Sequence, residues 1–313
     1  MTAPVMDMPR TERRTLASRL SRFWHRPWHE KLFVLCDRIR MSFPGFPAPM
    51  RLPFGAWWVI RRSASDGDIQ AGTFETAELQ FTQRFLQPGM TVLDIGANCG
   101  LYTLLAAHCV GSSGRVFAFE PSPRERKRLR THLWLNRCTN ARIVPCALGS
   151  HTSQADLYVV QGAQTGCNSL RTPRVAEPVA LMRVEIRTLD DFLEREKLPA
   201  VDFIKMDVEG GELEVLKGAA KLFQGPRLPV LLLEVSDLRT AAWNYKAKEI
   251  LDFLQERGYA FFSVSAGGAL VPASYSEDYL DTNLVALPQR ARQTILERLG
   301  GSSQDNVVRE EGH

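Results

Sequence analysis

The segment Asp94-Ile-Gly-Ala-Asn-Cys-Gly100 sets an acid at the end of an apolar run and follows it with a glycine-rich turn. Glycine lets a backbone turn tightly and approach a ligand closely. Helical periodicity resumes at Leu101. A helix start offers unpaired N–H groups and the positive end of a dipole, suited to a carboxylate or phosphate. A dinucleotide turn needs G-x-G-x-x-G. Counting from Gly96, Asn98 and Leu101 stand where the second and third glycines belong, which weakens the pyrophosphate reading. Asp94 suits a cationic amino group instead. A second acid, Glu120, closes Phe117-Ala-Phe-Glu120-Pro121, 24 residues past Gly96. A carboxylate there can accept both hydroxyls of a ribose. Its plainer role would be an acid favoured by the dipole of the next helix. Loop and acid together favour ribose binding. S-adenosylmethionine is a ligand of this kind, with an ammonium, a carboxylate and a sulfonium.

These residues need strands that end at one edge. Thr91–Ala97, Arg115–Glu120, Ala141–Ala147, Val201–Asp207 and Pro229–Val235 read as buried strands. Leu101–Val110, Pro123–Asn136, Glu212–Phe223 and Ala247–Arg257 read as the helices between and after them. Tyr259–Ser265 and Thr282–Leu287 close the series as strands. Asp156–Val160 and Val184–Arg187 are extra strands around a Gly/Asn/Ser loop. Upstream, Trp57–Arg61 is strand-like, Ser65-Asp-Gly-Asp68 reads as a turn, and Glu75–Leu86 as a helix stopped by Pro88-Gly89. Strands alternating with helices imply right-handed β-α-β units and a parallel sheet. In such sheets ligands bind beyond the carboxyl ends of the strands, where strand order reverses.

The composition, 44% hydrophobic and 24% charged, is that of a chain with a real core. A net charge of +4 is too mild to argue for nucleic acid without a clustered patch. The run Arg124–Arg130 resembles such a patch, but it reads better as the solvated face of a helix whose Leu129 and Leu133 point inward. Cys36, Cys99, Cys109, Cys138, Cys146 and Cys167 form no metal-binding spacing. They read as reduced thiols, so a cytoplasmic location is expected. His108, His132 and His151 read as structural or solvent-facing. No apolar run is long enough to span a membrane, and no signal-peptide pattern opens the chain.

Three regions follow. Residues 1–49 form a basic aromatic arm and a Pro-rich linker, Phe43–Met50. Nine Arg or Lys stand against four acids in the first forty residues, and Leu16, Leu20, Phe23 and Trp24 fall at helical spacing. The arm could pack on the main domain, act as a lid, make a dimer contact or lie on a membrane surface. Residues 50–288 form the main domain. Residues 289–313 hold a short helix and a polar tail.

The chain resembles the FkbM-type S-adenosylmethionine-dependent O-methyltransferases over roughly Leu52–Leu287. The resemblance rests on Asp94–Thr103, Phe119-Glu-Pro-Ser-Pro123, Ala147-Leu-Gly149, Thr188-Leu-Asp-Asp191, Phe203-Ile-Lys-Met-Asp207-Val-Glu-Gly210 and Glu212–Gly218. It implies a doubly wound, Rossmann-like class I methyltransferase fold. The sheet would have seven strands, mostly parallel with the last antiparallel, and helices on both faces. It also implies methyl transfer to a hydroxyl, often of a sugar or polyketide-like natural product. By this pattern Asp94, Gly96, Ala97, Asn98, Gly100 and Thr103 cradle the amino-acid half of the cofactor. Glu120 and Pro121 take the ribose, Ala147 borders the adenine, and Asp207 also touches cofactor. Cys99 departs from the bulkier aliphatic residue usual there.

Methyl transfer needs an in-line approach of a nucleophilic oxygen, and an alcohol gains from losing its proton to a nearby base. Glu209 is the first choice for that base, with Asp207 and Glu234 as further candidates. The plainer role for Asp207–Gly210 is to hold cofactor and cap the next helix. Asp207, Glu209 and Glu234 could instead ligate Mg²⁺, although no clear further ligand run supports a metal. Asn168 and Ser169 sit in a loop suited to a substrate rim. The expected acceptor is a small molecule bearing a hydroxyl, with no nucleic acid partner, and a homodimer is open. The alternatives are methylation of an amine or an RNA ribose, or a non-catalytic cofactor-binding or membrane-associated scaffold.

Overall fold

The computed structural model describes residues 48–61 and 63–300. The helical arm expected near Leu16–Trp24, most of the Pro-rich linker, Cys36 and the end of the polar tail lie outside them. Strands β1 (Ala48–Arg51) and β2 (Trp57–Ile60) form a two-stranded sheet, so the last residues of the expected linker are extended chain. Ala48–Met50 and Val59–Arg61 belong to one compact unit. Arg51–Trp58 and 63–300 belong to another, which carries all the residues described below.

Helix α1 (Ala64–Ala71) replaces the turn expected at Ser65–Asp68. Ser63 Oγ accepts from Asp66 N at 3.2 Å, and Gly72 closes the helix in the left-handed conformation. Asp66 accepts from Trp58 Nε1, eight residues before it, and from Arg128 Nη2, far along the chain, both at 2.9 Å. Local composition favours a turn, but a cap and a buried ion pair make it a helix.

The chain continues through α2 (Thr76–Phe85), β3 (Thr91–Ile95), α3 (Leu101–Val110), β4 (Arg115–Phe119), α4 (Pro123–Leu135) and β5 (Ala141–Val144). The third expected strand, Ala141–Ala147, is divided at Pro145, which has no N–H for a ladder. Beyond it β6 (Ala147–Leu148), β7 (Ser153–Val160) and β8 (Val179–Arg187) form a separate three-stranded sheet, order β6-β8-β7. Then come α5 (Leu189–Glu196), capped by Thr188, and β9 (Phe203–Met206). The single helix expected over Glu212–Phe223 is two, α6 (Glu212–Lys217) and α7 (Ala220–Gln224). They part at Gly218, where a Cβ would sit 2.0 Å from the Gly149 carbonyl oxygen. The rest is β10 (Val230–Val235), α8 (Asp237–Thr240), α9 (Lys248–Gln255), β11 (Tyr259–Ser265), β12 (Ala269–Pro272), β13 (Thr282–Pro288) and α10 (Arg292–Arg298).

The main sheet has eight strands in the order β12-β11-β13-β10-β9-β3-β4-β5, one more than the seven expected. The additional strand is β12, which folds back antiparallel on β11 at the sheet edge. Strands β5, β4, β3, β9 and β10 run parallel, and β13 is antiparallel to both its neighbours. Order reverses between β3 and β9, so their carboxyl ends flank the crevice.

Alternation along the strands fixes what faces where. Leu93, Ile95, Ile204, Met206, Leu231 and Leu233 pack into one buried cluster with α5, α6 and α9. Val92, Phe203, Val230 and Leu232 pack into the other with α2 and α3. Asp94, Lys205 and Glu234 share the parity of the second set, so all three emerge on the α2/α3 side. Among the described residues no helix is long and apolar enough to cross a membrane, and five cysteines are free thiols.

Candidate active site

A cavity of about 290 Å³ opens at the carboxyl ends of β3, β4, β9 and β10. The turn after β3 forms its floor. Gly96 N and Ala97 N donate to the Phe119 carbonyl at 3.1 and 3.0 Å, tying the turn to the end of β4. Gly96 has φ +83°, and a Cβ on it would stand 1.8 Å from the Asp207 carbonyl oxygen. The glycine therefore admits the end of β9 as well as any ligand. Asn98 also lies in the left-handed region, with φ 50°.

Two acids anchor this turn. Asp94 is buried and its Oδ2 accepts from Thr103 Oγ1 at 2.5 Å. Burial raises its pKa, against the Lys205 charge and that hydrogen bond. Thr103 is absent from the cavity wall; it holds Asp94 from behind. Glu120 accepts from Asn98 N at 2.9 Å and Ser122 N at 2.7 Å. Burial pushes its pKa up to about 8 despite those two donors. A carboxylate offers about four acceptor sites, so lone pairs remain for further hydroxyl donors. Pro121, Cys146, Ala147 and Leu148 continue the wall beyond Glu120.

The acids expected at the ends of β9 and β10 sit at the next two strands along from β3 in the sheet. Asp207, Glu209 and Glu234 all line the cavity. Glu209 adopts φ 57°, an unusual backbone for a non-glycine residue. Its carbonyl accepts from Ser169 Oγ at 3.1 Å and Trp243 Nε1 at 3.3 Å, which hold that turn. Glu212 reaches back to Val208 N at 2.9 Å, so it is Glu212 rather than Asp207 that caps the segment. Arg239, in the short helix α8 after β10, stands between Glu209 and Glu234. Its Nη1 is 2.9 Å from Glu209 Oε2 and its Nε 3.9 Å from Glu234 Oε1. Burial and the neighbouring Asp207 push both glutamates well above the usual carboxylate range, while Arg239 pulls them back. Glu234 Oε2 is buried without a hydrogen-bond partner.

The magnesium alternative finds no support here. Among the described residues no three acids, histidines or cysteines gather as a cation site. The Arg239 guanidinium supplies the positive charge instead. Asn168 and Ser169 both line the cavity, but each is already engaged: Asn168 Oδ1 accepts from Val160 N at 2.9 Å, and Ser169 holds Glu209. Cys99 is a buried wall residue.

Several wall residues lay beyond the sequence reading. Lys205 carried a signal, an ionisable residue inside an apolar strand two positions before Asp207. Glu75, Tyr102, Arg239 and Trp243 carried none, because tertiary packing alone brings them in. The basic run on α4 is solvated at Lys127 and Arg130 with Leu129 and Leu133 buried, as expected, but Arg128 is buried against Asp66. His132 is buried, stacked on Trp58 with ring centroids 4.0 Å apart; His108 and His151 are exposed.

The sequence profile of the methyltransferase FkbM domain matches residues 94–261, from the acid of the glycine turn to β11. The chain belongs to the FkbM methyltransferase family. Among its relatives are the hexuronic acid methyltransferase AglP of Haloferax volcanii, 28% identical over 53% of this chain and 62% of that one. The 31-O-demethyl-FK506 methyltransferase FkbM of Streptomyces tacrolimicus is 30% identical over 49% of this chain and 68% of that one. Ribosomal RNA large subunit methyltransferase E of Pseudomonas fluorescens is 25% identical over 52% and 77%. The match spans less than two thirds of the first curated relatives. Within the FkbM match lie both anchoring acids, Asp94 and Glu120, and all three acids at the ends of β9 and β10.

Proposed function

We propose that this protein methylates a hydroxyl group of a small molecule, with S-adenosylmethionine as donor. The observation that carries the reading is the meeting of two unlike walls in one cavity. On one side, a glycine turn between Asp94 and Glu120 offers acids to an ammonium and to ribose hydroxyls, with Cys146–Leu148 beside it for a planar base. On the other, Glu209 and Glu234 flank Arg239, beside Asp207, which is paired with Lys205. This donor set fits the cofactor, which when bound supplies an electrophilic methyl group.

The chain's own contribution is to position the acceptor and receive its proton. Glu234 Oε2, buried without a partner, is ready to accept a hydrogen bond from an acceptor hydroxyl. Glu209, held by Arg239, is the second acceptor. Burial raises Glu209 to about 8, within reach of a general base near physiological pH, and raises Glu234 further, to about 10, so that Glu234 takes a proton only at alkaline pH. Ser169 and Trp243 act as positioning residues, since both hold the Glu209 backbone.

The relatives named for O-demethyl-FK506 and hexuronic acid support a small-molecule acceptor. The relative named for ribosomal RNA supports the other reading, an RNA acceptor. Methyl transfer from isotope-labelled donor into extract of the producing organism separates them. Label in the small-molecule fraction is expected; label confined to RNA overturns the acceptor assignment. Absence of donor binding by calorimetry overturns the donor assignment.

A further inference from the structure

Three cationic side chains line the cavity among the described residues: Arg128, Lys205 and Arg239. Arg128 is engaged by both oxygens of Asp66. Arg239 stands between Glu209 and Glu234. Lys205 differs from both. It sits in the middle of β9 with only 6% of its surface exposed. Its Nζ lies 2.7 Å from Asp207 Oδ2 and 5.0 Å from the Tyr102 ring centroid.

The surroundings of Lys205 are acidic. Asp94 is its partner across the parallel ladder of β3 and β9. Glu75 acts on it by charge, and Glu75 is itself held by Tyr102, whose hydroxyl donates to Oε2 at 2.6 Å. Burial alone would lower the ammonium's pKa, but Asp207, Glu75 and Asp94 outweigh it. Lys205 is therefore charged. An ammonium has three donors, and Asp207 takes one. Lys205 lines the cavity together with Asp94, Glu75 and Asp207.

That group of residues suits a ligand end bearing both signs. The acids attract an ammonium, while a carboxylate needs a cation among them. We propose that Lys205 binds the carboxylate at the amino-acid end of the methyl donor, through Nζ, with Asp207 fixing the ammonium in place. The inference rests on the S-adenosylmethionine reading above. It makes Lys205 a binding residue, where that reading used only the glycine turn and Asp94.

Calorimetry with two ligands tests it: S-adenosylmethionine, and its decarboxylated analogue, which lacks the carboxylate alone. The wild type is expected to prefer the intact ligand by about tenfold or more, as for a charge-assisted hydrogen bond. Lys205→Met keeps the apolar stem and is expected to bring the two affinities within about twofold. It should bind the decarboxylated ligand at least as tightly as the wild type does, because the acids lose their internal cation. Should the single variant leave Asp207 unpaired and fail to fold, Lys205→Met/Asp207→Asn removes both partners and reads the same ratio. A variant that keeps the wild-type preference overturns the proposal, and so does a wild type with no preference. A wild type that binds neither ligand overturns the donor reading together with it.

Discussion

Arg239 Nη1 lies 2.9 Å from Glu209 Oε2, within a wall that also holds Asp207 and Glu234. One guanidinium thus shares the charge of an acidic group that burial makes hard to ionise fully. Replacing Arg239 by Met removes the charge that holds the glutamate pKa values down. The rate–pH profile of methyl transfer is expected to move to higher pH. A profile that stays in place, measured with saturating donor, would separate Arg239 from the titrating group.

Glu234→Gln and Glu209→Gln test the proton acceptor. Loss of a general base typically slows a reaction about 10²–10⁴-fold. The larger loss is expected for Glu234, whose Oε2 has no partner in the protein. Donor affinity by calorimetry should change less than about threefold in either variant. The base form is the deprotonated one, so the wild-type rate should climb as pH rises through the alkaline range set by Glu209 at about 8 and Glu234 at about 10. Glu234→Gln should flatten that climb.

Glu120 links ligand binding to protons. Its pKa of about 8 in the folded protein means that much of it is protonated at pH 7. Hydroxyl donors favour the ionised form, so adenosyl ligands should release protons as they bind. Calorimetric enthalpies at pH 7 in buffers of different ionisation heat should therefore differ, and Glu120→Gln should abolish the difference. Stability carries the same signature. The folded state retains this proton between the ordinary value of 4.5 and about 8, whereas the unfolded chain has lost it. The contribution of Glu120 to stability therefore falls as pH rises through that window. Chemical denaturation of the ligand-free protein should show a shallower decline over this range in Glu120→Gln.

Gly96→Ala tests the packing beneath the turn. The new Cβ would stand 1.8 Å from backbone and would force an alanine into a left-handed conformation. A loss of about 3 kcal/mol or more is expected from the clash and the strain together. Urea denaturation measures it. A variant of wild-type stability would mean that β9 can retreat from the turn.

The sheet was legible in the sequence because its strands are short apolar runs separated by amphipathic helices. The cofactor turn was legible because Asp94, Gly96, Gly100 and Glu120 stand at strand ends, where chain order and spacing are informative. Other features were hidden for separate reasons. The helix at Ala64–Ala71 looks like a turn until Trp58 and Arg128 converge on Asp66. The break at Gly218 depends on Gly149, 69 residues earlier in the chain. Pro145 could be read as a flaw in one strand, but its effect is to send the chain into a second sheet. Arg239 had no local signature, because its meaning lies in two glutamates on other elements. The acids of the acceptor wall were readable one by one; their shared counter-charge was not.

The close approach of Gly96 to the Asp207 carbonyl bears on how this protein could be re-engineered. The donor turn and the root of the acceptor wall touch backbone to backbone, with no room for a side chain between them. A shift in either would be passed to the other. Substitutions meant to change acceptor choice are better placed at the wall residues Thr165 and Leu170, which lie outside both and make none of the contacts that hold Glu209. Those two positions can be varied while the 94–100 and 205–211 stretches are left as the fixed datum of the design.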